Sequence, residues 1–253
     1  ETEASGFTNP ELIDFLAADY VEVYRGANAL QYGSATLGGA INFVSKTGYT
    51  AEPFLFRIEG GSDAYVRPQI SAGAVFDNGL DTFVSVSGIH SDGFRDNAEQ
   101  ETIRAYANLG YRHNNGETRL HLTVQDNHLE LPGALRLSQL LEDPTQANGF
   151  WQRNGAERDF QRYRLALQHD RAAWGGELSV ATWFEEQELD HPLPFVVIDN
   201  DDYHYGAGLR FNRDFDSGVS WVWGLLTAFE DVDGRQFAPA CGGRTGDLRQ
   251  TSD

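Results

Sequence analysis

From Phe54 onward, apolar and polar residues alternate with a period of two, in runs about as long as a membrane-crossing strand of roughly 9–11 residues. Nine strands are expected, over 54–62, 66–76, 82–91, 102–113, 118–130, 160–171, 177–189, 203–213 and 219–232. Short connections at 77–81, 114–117, 172–176 and 214–218 alternate with long ones at 93–101, 131–159 and 190–202. Short turns at one end and long loops at the other is the layout of an antiparallel barrel that spans an outer membrane.

Pairing about Asn115-Gly116 as a type I′ turn puts Tyr111 opposite Leu120, Leu109 opposite Leu122 and Ala107 opposite Val124. The other face then carries Arg104, Asn108, Arg112, Arg119, His121 and Thr123. One apolar and one polar face suits lipid outside and a wet lumen within. The split recurs at Tyr203, Tyr205, Ala207, Leu209 and Phe211, and at Val219, Trp221, Trp223 and Leu225. Phe160, Tyr163, Trp174, Trp183 and Phe184 are expected at headgroup height. All eight prolines are expected in loops or at strand edges. A short helix is expected over 136–143 inside the longest loop, and another over 10–17 with Asn9 as its N-cap.

Ahead of the alternating region, Val21 and Val23, then Ile41 and Phe43, read as two short strands joined through Gly26, Gly33, Gly38 and Gly39. By pattern alone this is a compact β-turn unit, equally compatible with a soluble mixed fragment. The string VEVYRGANALQYG followed by LGGAINFVSK resembles the C-terminal end of the plug domain of TonB-dependent outer-membrane receptors, in wording nearest the ferric-citrate-receptor-like branch. The resemblance implies an all-β chain: residues 1–50 the end of an α+β plug, and 51–253 the N-terminal part, about nine antiparallel strands, of a transmembrane β-barrel. Nine strands do not close the 22-stranded barrel of this class, so a longer protein is expected, as the absence of Met also suggests.

The formal net charge of −19, from 38 acidic against 19 basic residues, excludes nucleic acid as a partner of choice, since phosphate binding needs a concentrated basic face. Lys46 is the one lysine, so arginine with its rigid fork carries nearly all the positive charge. Cys241 stands alone and offers neither a disulfide within the chain nor a multi-thiolate metal site. No run is long and apolar enough for a membrane helix, which leaves a barrel open.

No G-x-S-x-G elbow, G-K-[ST] phosphate loop or H-E-x-x-H helix occurs, so neither a catalytic site nor a cofactor is expected. The acidic stretches 199–202 and 231–234 lack the closing glutamate of a calcium loop and read as solvated loop carboxylates. The seven histidines are scattered singly, and no metal site is expected.

The resemblance implies a receptor for energised uptake of a ferric chelate, ferric citrate or a siderophore complex, in the outer membrane of a Gram-negative bacterium. Its partners would be the chelate, the lipid and the inner-membrane TonB complex. Receptors of the same fold for cobalamin, haem or an oligosaccharide, and a non-transporting β-rich binding module or adhesin, are the alternatives. Arg104, Arg162 and Arg164 share the expected lumen face near the outer mouth and could give charge-assisted hydrogen bonds to an anionic chelate. Arg95, Arg136 and Arg153 are further candidates on loops. The competing reading occupies the group internally, Arg162 with Glu185 opposite and Arg164 over Trp183. Glu22 and Arg25 are expected to join the plug to the barrel wall.

Overall fold

A computed structural model describes residues 13–26, 38–240 and 243–252, the last stretch as backbone alone. The N-terminal strands β1 (Ala18–Arg25) and β2 (Gly39–Ser45) form an antiparallel hairpin in which Val21 faces Phe43 and Val23 faces Ile41. Their connection, Cys241 and most of the helix expected at 10–17 lie outside the described residues. The described part of that helix, 13–17, ends in a turn.

The rest is one antiparallel sheet of ten strands in chain order: β3 (Leu55–Gly60), β4 (Val66–Val75), β5 (Leu80–Ser91), β6 (Gln100–His113), β7 (Gly116–Leu129), β8 (Asp159–Ala173), β9 (Gly176–Leu193), β10 (Val196–Asp214), β11 (Ser220–Ala240) and β12 (Gly243–Ser252). Each strand pairs with its sequence neighbour, as in an up-and-down barrel wall. All nine expected strands are present. The tenth, β12, falls in a polar, glycine-rich stretch without alternation and went unforeseen.

The two faces differ as the pattern requires. On the outer face Ile103, Leu109, Tyr111, Leu120, Leu122, Tyr163, Leu165 and Phe184 are exposed. On the inner face Gln69, Ser85, Thr102, Asn108, Arg119, Gln125, Asn127, Arg162, Glu185 and Gln187 are buried. This inverts a water-soluble sheet, whose apolar face is the one it hides.

Four expectations need correction. The β6–β7 ladder sets Leu109 opposite Leu120 and Ala107 opposite Leu122, closing at His113–Gly116, so Asn114-Asn115 is the turn. Neither Asn115 nor Gly116 takes a positive φ, so the turn is not type I′. Gly116 is instead required by the next strand, where a Cβ would overlap the Asp170 carbonyl. A slip of two residues preserves the faces, which is why the face assignment holds.

Residues 190–202 form no long loop: β9 and β10 run on as a ribbon joined by two residues, with Val197 buried. The acidic stretches at 199–202 and 231–234 therefore lie within strands, where Arg235 bridges Asp201 and Asp233 at 3.0 and 2.7 Å. Pro68, Pro192 and Pro239 sit inside strands. The β4–β5 ladder skips Pro68, and the β11–β12 register shifts beside Pro239, so the missing N–H groups are accommodated. Phe160 is buried and Trp183 faces inward over Gly206, so neither belongs to an outer girdle. The helix expected at 136–143 is α1 (Leu137–Glu142), and α2 (Gly149–Arg153) shares its loop.

Candidate functional site: the inner wall and the strand seated on it

The inner wall receives the segment that follows β2. Near the short-turn end of the wall Asp81, with no exposed surface, accepts two hydrogen bonds from the Arg119 guanidinium at 2.9 and 2.8 Å, and one from the Gly48 N–H at 2.9 Å. The same guanidinium donates to Asn108 Oδ1 at 2.8 Å, and Asn108 Nδ2 donates to the Lys46 carbonyl at 2.5 Å. Glu117 accepts from Arg119 and Arg112, and Arg112 lies 3.6 Å from the centre of the Tyr49 ring. Further along, Gln69 Nε2 donates to the Leu16 carbonyl and to Ser85 Oγ, both at 3.1 Å.

Two glycines make this close approach possible. A Cβ on Gly48 would overlap the Ala74 carbonyl oxygen, and one on Gly110 would overlap the Asp81 carboxylate and the Arg119 guanidinium. The wall thus holds the exit from the hairpin through hydrogen bonds to its backbone groups, the one from Gly48 to the Asp81 carboxylate being charge-assisted, and these fix position whatever the side chains of the seated segment are.

A second buried group lies nearer the loop end. Arg162, 1 % exposed, donates to Glu185 Oε2 at 2.7 Å, and Arg164 Nε stands 3.4 Å from the same oxygen. The ladder sets Glu185 opposite Arg164 and Gln187 opposite Arg162, again a slip of two residues, because Trp174 and Gly175 form the turn with positive φ. Trp183 faces Ala166, so the contact expected between Arg164 and Trp183 is replaced by the shared Glu185. Arg104 shares this face and lies within electrostatic reach of Asp14, whose carboxyl burial raises above its ordinary value.

The remaining candidates divide. Arg95 donates to the carbonyls of Pro132, Gly133 and Gln146 and so ties two loops together. Arg136 and Arg153 are exposed beside α1 and at the end of α2. Glu22 accepts from Asn42 Nδ2 at 2.8 Å across the hairpin, and Arg25 is exposed, with no ion pair among the described residues. Sequence reasoning missed Asp81, which reads as the last residue of a turn, and Gln69. Asn108 and Arg119 were placed on the correct face, but a bond spanning 38 positions, as between Arg119 and Asp81, leaves no local signal.

No family model matches the chain. Among solved structures, the unliganded ferric citrate transporter FecA superposes with a TM-score of 0.77 at 18 % identity, over 95 % of this chain and 38 % of its own. The siderophore receptor PiuA from Acinetobacter baumannii gives 0.69 at 14 %, over 93 % and 38 %. The pyoverdine outer-membrane receptor FpvA from Pseudomonas aeruginosa gives 0.69 at 16 %, over 95 % and 40 %. The chain spans about two fifths of the length of the structures it matches. Over this span its fold is that of the TonB-dependent outer-membrane receptors, a two-stranded hairpin whose flanking segments bond to one face of a ten-stranded antiparallel sheet.

Proposed function

We propose that the full-length protein is a TonB-dependent receptor in the outer membrane of a Gram-negative bacterium, taking up a ferric chelate, ferric citrate or a siderophore complex, without bond chemistry of its own. The observation that carries this reading is the hairpin exit held by Asp81, Arg119 and Asn108 against the polar side of an apolar-outward sheet. A wall built to hold an internal segment suits a gated passage better than an adhesin, whose barrel needs no such seat. The similar structures include a ferric citrate transporter and a siderophore receptor, which supports a ferric chelate as the cargo class. On this reading residues 1–50 close the plug, 51–253 open the barrel, and the end bearing loop 130–158 faces outside. Arg136 and Arg153, exposed on that loop, are the arginines placed to meet an anionic chelate, while Arg162 and Arg164 hold Glu185.

The test is uptake of radiolabelled iron, offered as citrate and as siderophore complexes, by iron-starved receptor-deficient cells carrying the full-length gene. Accumulation that stops when the TonB complex is removed is expected. No accumulation of any ferric chelate by a receptor assembled in the outer membrane, or accumulation independent of energy coupling, would overturn the proposal.

A further inference from the structure

At the end of the sheet that carries the long loop, the outer face brings together His128, Glu157 and Asp159, each half-buried. One ligating atom of each lies within 4.8 Å of the other two, and His128 Nδ1 is 2.6 Å from Asp159 Oδ1. Glu130 pairs with Glu157 across an antiparallel bridge, adding another carboxylate to the same face.

The backbone beneath is rigid. Arg158 donates to the Leu129 carbonyl and Leu131 to that of Ala156, both at 2.8 Å, while the Glu157 N–H reaches the Pro192 carbonyl at 3.1 Å. His191 Nδ1 lies 2.7 Å from the Glu157 carbonyl. Glu157 is thus fixed from β7 on one side and β9 on the other, the kind of scaffold a coordination site needs. Beside the cluster lies a cavity of about 350 Å³ lined in part by His128, Asp159, Glu188, Asp190 and Asp199, open enough to admit a hydrated ion.

An imidazole with two carboxylates is a donor set for a borderline metal, whereas calcium and magnesium take oxygen ligands alone. We propose that His128, Glu157 and Asp159 form a site for a first-row divalent metal ion, of which Zn²⁺ is the probe, that closes the base of loop 130–158. The site lies on the outer face, away from the lumen, so the ion is a staple and not cargo. Joining residue 128 to residues 157 and 159 braces the backbone bridge at the base of the loop and opposes its local opening.

The full-length detergent-solubilised receptor is titrated with Zn²⁺ alone at neutral pH, beside His128→Gln and the double variant Glu157→Gln, Asp159→Asn. His90→Gln, in a more exposed His–carboxylate group with Glu99 and Glu101, is the control. Wild type and control are expected to bind one more Zn²⁺ than the two His128-site variants. Cleavage by an added protease within 130–158 slows at least several-fold with Zn²⁺ in wild type and the His90→Gln control, and not in the two His128-site variants. Heat-modifiable migration confirms that each variant is folded. Equal Zn²⁺ stoichiometry in folded wild type and His128→Gln, or equal loop cleavage with and without Zn²⁺, would overturn the proposal.

Discussion

The inner wall is decided by single residues whose charges balance only in pairs. Arg119 meets Asp81, Glu117 and Asn108 at once, and all but Glu117 of these are more than nine-tenths buried. Removing one partner of such a pair leaves the other charged and uncompensated, at about 3–5 kcal/mol. Arg119→Gln in the full-length protein is therefore expected to release the segment around Gly48. Hydrogen exchange at Lys46 to Ala51 reads this directly, and unchanged protection there would refute the role given to Arg119.

Asp14 behaves in the opposite sense. Burial raises its pKa from an ordinary 3.8, so the folded state binds the proton more tightly than the unfolded chain. Its contribution to stability is complete below the ordinary value and is lost as pH rises through the raised one. Asp14→Asn is expected to increase hydrogen-exchange protection of β1 and β2 at neutral pH and to remove its rise on mild acidification. A variant with the same pH profile as wild type would count against this. Of the residues at the inner wall, Arg104, Asn108, Arg119, Arg162 and Arg164 were legible as lumen-facing from alternation alone. Which carboxylate each would meet was not, because a partner two strands away or one diagonal off depends on a register that alternation leaves free by two.

At the level of the strand, alternation carried nearly everything, since a strand between lipid and a polar lumen must repeat with period two. It failed where the environment stops being two-sided. Beyond the apolar band β9 and β10 continue with acidic residues and Pro192, a composition that reads as loop, yet the ladder persists because pairing needs only extended backbone. β12 failed for the same reason. The apolar band itself is testable at Leu122, 44 % exposed on the outer face beside Leu109 and Leu120. Arginine there is expected to cost about 2–4 kcal/mol if it lies near the bilayer midplane. Leu122→Arg should reduce the heat-modifiable protein in outer-membrane fractions, whereas Thr123→Arg, facing inward, should reduce it much less. Equal assembly of the two variants would contradict the face assignment.

For the whole molecule, the ten-stranded sheet leaves β3 and β12 as its two edges. Unpaired strand edges are not tolerated in lipid, and a sheet with its apolar residues outward has no core of its own to bury. The wall is therefore intelligible as part of a closed barrel around an internal segment, in keeping with structures of which it covers about two fifths. The most direct test is a cysteine scan of Arg119 to Val124 in the full-length protein, in a Cys241→Ser background and in native outer membranes. Spin labels at 120, 122 and 124 are expected to collide with lipid-dissolved oxygen and to be shielded from a water-soluble paramagnetic reagent. Labels at 119, 121 and 123 are expected to show little of the oxygen contact. Absence of this alternation, or water access at 120, 122 and 124, would contradict a membrane-spanning wall.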